Sequence, residues 1–390
     1  MSEPLSRNGW TRVAFGDVAR LSRERSTDPE ADGFERYVGL EHIEPGDLTI
    51  RRWGEIADGT TFTSVFRPGQ VLFGKRRAYQ RKVAVADFAG VCSGDIYVLE
   101  PKSAGLLPEL LPFVCQTDGF FEHAVGTSAG SLSPRTRWDS LASYKLALPP
   151  LGEQERIASL LHASSHILGA LRELRAKTSL LLASAVEDLA MRAIEAGAVV
   201  PLNDLVEKDR PITYGILMPG QDFPGGVPVI KVKDFPDGRI LEETLLRTDP
   251  RIDEEYRRSR LREGDLLISI RGTVGRLAFV PGSLAGANIT QDTARLSLAK
   301  EHDASFVRAM LGSRFVQRQI AGFVTGLAVK GINLGELRQV RVPIADFDQQ
   351  VALSREVGEI RVSIDRCDVR FAEAKKLHGE FLRKLTELPQ

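Results

Sequence analysis

Two long stretches of the chain carry apolar residues at alternating spacings of three and four, the pattern of a heptad seam. The first runs from Ile157 to Ala185 and the second from Leu353 to Leu385. Neither contains a proline, so each predicts one uninterrupted helix. Residues 157–185 alone would extend about 42 Å at 1.5 Å per residue. We therefore predict two long helices that pack along their seams, the second with a single polar member, His378.

A second apolar stripe lies beside the first seam, so this helix is apolar on more than one flank. The stripe could bind a partner protein, and it consists of Leu161, Leu168, Leu182 and Leu189. It could equally face the globular parts of the chain itself, because stripes that face a domain look the same in sequence.

Short apolar runs precede each long helix, and Gly, Pro and Asp separate them, as is typical of β-rich packing with irregular loops. The predicted strands are residues 37–43, 71–73, 83–86 and 96–99, then 229–232, 265–270, 277–280 and 294–298. One helical stretch follows each set, at 108–125 and 305–321. Each globular part is therefore predicted to be α+β.

The two halves also share landmarks at a nearly constant separation. The segment Arg67-Pro68-Gly69-Gln70 corresponds to Arg262-Glu263-Gly264-Asp265, and the glycines at 126 and 130 correspond to those at 322 and 326. Two copies are too few for a solenoid, so the repeat predicts two similar globular units and two similar faces. We expect globular domains at 1–150 and 197–345, and long helices at 151–196 and 346–390.

The composition is ordinary for a soluble chain, with 390 residues, 43% of them hydrophobic and 27% charged. No apolar run is long enough for a membrane span, and the first residues lack the apolar core of a signal peptide, so we expect a cytoplasmic protein. The three cysteines, Cys92, Cys115 and Cys367, form no CxxC pair. We expect them to be buried small hydrophobic residues.

Charge is balanced overall, with 52 basic and 52 acidic residues, but it is unevenly distributed. Residues 59–86 contain six basic residues and no acid, and residues 304–335 contain four and no acid. Residues 266–291 are also free of acid. A basic face on each half is the simplest interpretation, although arginine clusters also occur on proteins that bind no nucleic acid.

The strongest candidate site is the loop at 74–82, between two predicted strands, with its counterpart at 269–276. Arginine can donate two hydrogen bonds to guanine, glutamine can read adenine, and lysine or backbone amides can hold phosphates. The candidate DNA-binding residues are Lys75, Arg76, Arg77, Tyr79, Gln80, Arg81, Lys82, Ser128, Ser133, Arg135, Arg137, Lys231, Lys233, Arg271, Thr273, Arg276, Lys330 and Asn333. The alternative is that Arg77 or Arg276 pairs with an acid in its own unit.

Catalytic and metal-binding patterns are weak. Residues 126–130 match G-x-S-x-G, but a helix precedes them and the second copy has no serine, which argues against a hydrolase. His162 and His166 lie four apart without a third ligand. Glu373-Ala374-Lys375 has the E-x-K form of a nuclease site but lies inside the second heptad stretch. The chain has no phosphate-binding P-loop and no dinucleotide-binding turn, so we expect no catalytic residue, metal or cofactor of its own.

Residues 146–157, LALPPLGEQERI, resemble the junction in specificity subunits of Type I restriction-modification systems, where a target recognition domain ends and a long helix begins. Residues 340–351, VRVPIADFDQQV, are a second copy that keeps the Pro and the Gln but lacks the Pro-Pro pair and the Glu-Gln dipeptide. The strands at 67–72 and 262–267 also resemble those of the family. The likeness covers nearly the whole chain through its order of domain, helix, domain, helix.

This resemblance implies an α+β fold in which two similar α/β target recognition domains are joined by two long antiparallel coiled-coil helices in an internal pseudo-twofold repeat. It implies a non-catalytic subunit that recognises a bipartite target in double-stranded DNA with an unread gap. The implied partners are two copies of an adenine methyltransferase subunit and an ATP-dependent restriction and translocase subunit, so that S-adenosylmethionine, ATP and Mg would belong to the partners. A fused DNA-modifying enzyme, and a scaffold or DNA-recognition protein of another methylation or anti-phage complex, remain open.

Overall fold

The computed structural model describes residues 9–102, 105–326 and 330–385. The chain forms two compact units. Unit 1 comprises residues 1–174 and 367–390, and unit 2 comprises residues 175–366. Each unit therefore contains one globular part and a section of both long helices.

The described part of unit 1 is built from two four-stranded sheets, a two-stranded ribbon and short helices. Its strands are β1 (Thr11–Ala14), β2 (Ala19–Leu21), β3 (Arg36–Val38), β4 (Gly54–Glu55), β5 (Ser64–Phe66), β6 (Val71–Gly74), β7 (Val83–Val85), β8 (Gly90–Cys92), β9 (Ile96–Pro101) and β10 (Lys145–Leu148). Its short helices are α1 (Phe15–Val18), α2 (Leu111–Val114), α3 (Asp118–Gly126) and α4 (Trp138–Ala142). The sheet orders are β2-β9-β6-β7 and β4-β3-β8-β5, and β1 pairs with β10.

The first long helix, α5 (Leu151–Glu195), leads into unit 2. The strands there are β11 (Val199–Pro201), β12 (Thr213–Tyr214), β13 (Val227–Ile230), β14 (Leu246–Thr248), β15 (Leu266–Ser269), β16 (Leu277–Phe279), β17 (Asn288–Ile289), β18 (Thr293–Leu296) and β19 (Arg341–Pro343). The helices are α6 (Pro250–Glu255), α7 (Ala304–Leu311), α8 (Arg314–Phe323), α9 (Leu334–Gln339) and the second long helix, α10 (Phe347–Lys384). The sheet orders are β12-β18-β15-β16 and β14-β13-β17, and β11 pairs with β19.

The two units repeat one topology, which confirms the predicted duplication. The sheet β12-β18-β15-β16 matches β2-β9-β6-β7 strand for strand, and the parallel pair β13 and β17 matches the parallel pair β3 and β8. The central strands β6 and β15 separate two core clusters. In β6, Val71 and Phe73 pack into one cluster and Leu72 packs into the other. In β15, Leu266 and Ile268 pack into one cluster and Leu267 packs into the other. Burial on both faces explains why these strands are continuously apolar in sequence.

The repeated Arg-x-Gly-x motif makes the turn before each central strand. The Arg67 N–H donates to Gln70 Oε1 at 2.7 Å, and the Arg262 N–H donates to Asp265 Oδ2 at 2.7 Å. The glycine between them has a φ of 87° in unit 1 and 81° in unit 2, a conformation that only glycine adopts without strain. The motif is therefore a turn that starts the central strand.

The glutamines after the two junctions have equivalent roles. The Gln154 amide donates to the Pro149 carbonyl at 2.9 Å and its oxygen accepts from the Leu107 N–H at 2.9 Å. The Gln350 amide donates to the Ala345 carbonyl at 2.8 Å and its oxygen accepts from the Asp303 N–H at 2.9 Å. Both glutamines are buried. Each one ties the start of a long helix to its globular part.

The helical stretches predicted at 108–125 and 305–321 are not single helices. Each is broken into two, α2 and α3 in unit 1 and α7 and α8 in unit 2. A buried hydroxyl residue stands at each break. Thr117 Oγ1 donates to the Val114 carbonyl at 2.8 Å, and Ser313 Oγ donates to the Met310 carbonyl at 2.7 Å. Ser313 also accepts from the Val316 N–H, so its side chain ends one helix and begins the next.

Within each unit the two long helices run antiparallel. In unit 1, Ser164 Oγ lies 2.7 Å from His378 Nδ1, while Arg172, further along α5, lies over the ring of Phe371, which is earlier on α10. In unit 2, Leu189 lines a groove with Leu353. Leu182, earlier on α5, lines another groove with Ile364, which is later on α10. The seam residue His378 is buried and packs against Phe113 as well.

The cysteines Cys92, Cys115 and Cys367 are buried and unpaired, as predicted. Among the residues described, no helix has the length and apolarity needed to span a bilayer. The same residues contain no group of three or more His, Cys, Asp and Glu side chains arranged to hold a metal ion. His162 Nε2 lies 3.1 Å from the Glu109 carbonyl oxygen and its ring contacts Phe113.

Candidate nucleic-acid interface

Two loops pair in unit 1 to form one surface. We call residues 74–82 the arginine loop and residues 127–136 the bracing loop. The Arg77 N–H donates to the Pro134 carbonyl at 2.7 Å, and the Thr136 N–H donates to the Lys75 carbonyl at 3.0 Å. The bracing loop closes on itself through two hydrogen bonds between Ala129 and Arg135, at 3.0 and 3.1 Å. These bonds use backbone atoms alone, so they fix the loops without depending on the side chains.

The same pairing recurs in unit 2, where the second arginine loop is residues 269–276 and the second bracing loop is residues 324–333. The Gly272 N–H donates to the Lys330 carbonyl at 2.9 Å, and the Ile332 N–H donates to the Ile270 carbonyl at 2.9 Å. Thr325 and Gly331 exchange two hydrogen bonds at 2.9 and 3.0 Å, as Ala129 and Arg135 do in unit 1. The duplication therefore extends to individual hydrogen bonds at the candidate site.

Asp95 lies at the centre of the unit 1 surface and binds two of the predicted arginines. Arg76 Nη1 donates to Asp95 Oδ2 at 3.1 Å, and Arg135 Nε donates to Asp95 Oδ1 at 2.8 Å. Burial raises the pKa of Asp95, but the hydrogen bonds and charges of Arg135 and Arg76 outweigh it and lower that pKa below its usual value. The carboxylate stays ionised and holds both guanidinium groups in place.

Arg77 has no acidic partner among the described residues. The alternative that Arg77 pairs with an acid in its own unit is therefore wrong. Its backbone is left-handed, with a φ of 53° and a ψ of 53°. The equivalent residue in unit 2 is Gly272, with a φ of 73°. Arg77 Nη2 reaches Ser133 Oγ only at 3.4 Å, and its Nε is buried without a hydrogen-bond partner. The chain thus keeps an arginine where the backbone favours glycine, which points to a use for its side chain.

The remaining residues of the arginine loop differ in how far they are engaged. Lys75 lies 4.7 Å from the centre of the Tyr97 ring, and burial lowers the pKa of its amine. Arg81 pairs with Asp118 and covers the Phe121 ring, and Lys82 Nζ donates to the Leu40 carbonyl at 2.6 Å. These contacts give Arg81 and Lys82 a part in holding the loop.

Two predicted residues of the arginine loop keep accessible side chains, since Tyr79 is 57% exposed and Gln80 is half-buried. In the bracing loop, Ser128 Oγ donates to the Ala124 carbonyl at 2.7 Å, which places it at the end of α3. Ser133 Oγ accepts from Arg76 Nη2 at 3.0 Å, and Arg137 is exposed at the start of α4.

In unit 2 the predicted residues form a less basic surface. Arg271 Nη1 donates to Gln291 Oε1 at 3.0 Å, and Lys330 is exposed beside it. Ser269 Oγ donates to the Thr273 carbonyl and accepts from the Arg276 N–H, so a serine closes the second arginine loop. Arg276 has no acidic partner among the residues described here.

The other unit 2 candidates have local structural roles. Asn333 caps α9, since its Oδ1 accepts from the Glu336 N–H at 2.9 Å. The Lys231 N–H donates to Asp234 Oδ2 at 2.9 Å, and its neighbour Lys233 is exposed. Two residues that the sequence did not indicate, Asp95 and Gln291, orient the arginines. Their one sequence signal is position, because both lie just before the equivalent strands β9 and β18.

The four leucines taken as candidate partner-binding residues face inward to different extents. Leu161 and Leu168 are buried, and Leu161 belongs to the unit 1 core. Leu182 and Leu189 are partly buried and pack against the unit 2 core. This packing is the alternative that the sequence left open, and it removes Leu161 and Leu168 from any accessible partner surface.

Residues 8–175 match the family model described as the Type I restriction modification DNA specificity domain. This match covers less than half of the chain. The chain is similar to the Type I restriction enzyme EcoBI specificity subunit of Escherichia coli, with 29% identity over 256 residues, 59% of this chain and 53% of that protein. The match thus spans about half the length of that relative.

Two further likenesses extend over most of this chain. The Type I restriction enzyme MjaVIII specificity subunit of Methanocaldococcus jannaschii is 20% identical over 385 residues, which are 90% of this chain and 86% of that protein. The crystal structure of the Type-I restriction-modification system S subunit from M. genitalium has a TM-score of 0.63 at 14% identity, and the alignment covers 99% of both chains. The structural likeness shows that the fold is shared.

Proposed function

We propose that this chain is the DNA-binding specificity subunit of a Type I restriction-modification complex and that it recognises a bipartite DNA target. The observation that carries this proposal is the braced pair of loops that occurs once in each unit, with the same backbone hydrogen bonds and different side chains. One scaffold that presents two side-chain sets suits two different half-sites.

The side chains of unit 1 fit a polyanion. Lys75, Arg76 and Arg135 lie around one carboxylate, that of Asp95, and Arg77 reaches Ser133 beside them, so positive charge is in excess. Cations positioned on a fixed backbone hold phosphates, and a free arginine fork can donate two hydrogen bonds to guanine. In unit 2, Arg271 and Gln291 are already hydrogen-bonded to each other, and this pair offers donors and an acceptor to base edges.

Partners supply the chemistry in this proposal. The chain directs two adenine methyltransferase subunits and an ATP-dependent restriction and translocase subunit to the target and takes no catalytic part itself. S-adenosylmethionine, ATP and Mg are bound by those partners, and the complex acts in the cytoplasm. In this proposal the helices α5 and α10, which enter both units, serve as the spacer between the recognition surfaces and as the docking site of the partners.

Modified-base sequencing of the host genome tests the proposal. We expect methylated adenines in a motif of two short words separated by an unread gap, and we expect the motif to disappear when the gene for this chain is deleted. Arg76→Ala should relax or lose one word and leave the other unchanged, and Arg271→Ala is the matched change for the second word. A contiguous motif, or methylation that survives the deletion, would refute the proposal.

A further inference from the structure

The bracing loop of unit 1 carries the most exposed large hydrophobic side chain in the described part of the molecule. Leu132 is 90% exposed, although the next residue, Ser133, accepts a hydrogen bond from Arg76. An isolated apolar residue on a surface is common and needs no explanation. The position of this leucine is unusual because it lies at the tip of a closed loop within the candidate DNA surface.

The loop is held rigidly beneath Leu132. The two hydrogen bonds between Ala129 and Arg135 close it at its base. Gly130 permits the sharp turn, with a φ of 110°. After the tip, Ser133 Oγ accepts from Arg76 Nη2 at 3.0 Å, and the Pro134 carbonyl accepts from the Arg77 N–H. A loop whose backbone is held this way loses little conformational freedom when it binds.

Cations lie immediately beside the tip. Arg76 and Arg77 reach Ser133, the residue that follows Leu132, and Arg135 forms the base of the loop. Each base step of a duplex is bordered by phosphates, so a wedge between bases needs cations close to it. Proteins that insert a wedge between base pairs use leucine, phenylalanine, isoleucine, methionine or proline for this purpose.

We propose that Leu132 inserts between two neighbouring base pairs of the half-site read by unit 1 and partly unstacks them, while Arg76 and Arg135 hold the flanking phosphates. The inference rests on the proposed DNA-binding function. It adds a specificity element that makes no hydrogen bond. The step it enters is selected by its ease of unstacking, which is greatest at pyrimidine–purine steps.

The second copy differs at this point in the sequence. The position that corresponds to Leu132 by the repeat is Ala328, and residues 327–329 lie outside the described residues. Leu132→Ala therefore introduces the side chain that the other copy already carries. Met218, which is 82% exposed in unit 2, offers a control for the loss of an exposed apolar side chain.

The test uses the full chain co-expressed with its methyltransferase subunit and a duplex enriched by that complex from a random library. The half-site read by unit 1 is the one whose contact Arg76→Ala weakens. 2-Aminopurine placed at each of its positions in turn reports unstacking through its fluorescence. We expect a several-fold rise at one step with the wild-type chain and with Met218→Ala, and no rise with Leu132→Ala.

Affinity for the enriched duplex should fall about tenfold with Leu132→Ala, because the apolar surface that the leucine buries in the DNA complex is lost. Leu132→Met should restore the affinity. Thermal stability should not change, because the side chain is exposed. An enriched duplex that wild type and Leu132→Ala bind equally, with no fluorescence rise, would overturn this inference alone. If no duplex is enriched, the proposed function falls and this inference with it. Loss of a co-purifying subunit with an unchanged DNA signal would assign Leu132 to a protein contact and overturn the inference.

Discussion

Replacing Arg77 with glycine separates backbone strain from DNA recognition at the arginine loop. Arg77 is left-handed, and its unit 2 equivalent is already a glycine that donates the same backbone hydrogen bond, at 2.9 Å against 2.7 Å for Arg77. A side chain in this conformation costs about 1–2 kcal/mol, which glycine would relieve. Glycine in turn loses about 0.5–1 kcal/mol through its greater freedom in the unfolded chain.

The side-chain contacts of Arg77 add little to this balance. Its bond to Ser133 Oγ is at the long limit for a hydrogen bond, and its Nε has no partner. We therefore expect the free energy of unfolding of Arg77→Gly to change by less than about 1 kcal/mol. Loss of a bidentate contact to a base would cost about 1–3 kcal/mol of binding, or about 5- to 150-fold in affinity.

Denaturant unfolding and binding to a duplex that carries both half-sites measure the two effects. Arg77→Ala is the matched variant, because it removes the guanidinium but keeps a side chain in the left-handed conformation. It should be about 1 kcal/mol less stable than Arg77→Gly and should bind equally weakly. If Arg77→Gly unfolded much more easily, or bound both half-sites as tightly as wild type, the assignment of Arg77 to DNA reading would be refuted.

Three further predictions concern the framework. Seven residues inserted into both α5 and α10 at the unit boundary should lengthen the unread gap by about three base pairs, since seven helical residues extend about 10 Å and each base pair about 3.4 Å; methylation mapping with an unchanged gap would refute the spacer role. Burial lowers the pKa of His378, and so does the charge of Arg172, so the unfolded chain takes up the proton first and stability falls as the pH drops below about 6.5. Thermal melts should show a larger loss between about pH 7.5 and 5.5 for wild type than for His378→Gln, and equal losses would contradict the assignment. Asp265→Ala leaves the 14%-exposed Arg210 without its carboxylate and should lower the free energy of unfolding by about 3–5 kcal/mol. Gln70→Ala at the equivalent turn of unit 1 should lower it by about 1 kcal/mol. Equal losses for the two variants in denaturant unfolding would refute a stabilising role of the Arg210–Asp265 ion pair.

The sequence allowed the long helices, the duplication and the central strands to be predicted, because each depends on local pattern. The heptad spacing was visible over many turns, and β6 and β15 are apolar on both faces. The short strands β3, β4, β5 and β8 were missed or only partly predicted, since they have two or three residues each and pair over long distances. A single helix was predicted where Thr117 and Ser313 break it, because a hydroxyl residue inside an apolar stretch looks the same whether it caps or merely interrupts.

The location of the arginine loop was predicted, but the roles of its residues depend on tertiary contacts. Arg76 and Arg135 form ion pairs with Asp95, and Arg81 forms one with Asp118. These three arginines therefore stabilise the surface. Arg77 differs from them in the absence of an acid among its described neighbours, and it shares its left-handed backbone with Arg81. Neither property can be read from the run of basic residues in the sequence.

Main-chain atoms hold the loops and side chains distinguish the two units, and this separation of roles affects how the proposed DNA target can change. In both units the loops are held by main-chain hydrogen bonds, and the side chains at equivalent positions differ, as Arg77 and Gly272 or Pro134 and Lys330 do. Because the framework does not need those side chains, substitutions there cost little folding free energy. On the proposed function, each unit can therefore acquire a new half-site independently of the other, whereas the turn that contains the buried Asp265 is constrained by folding itself.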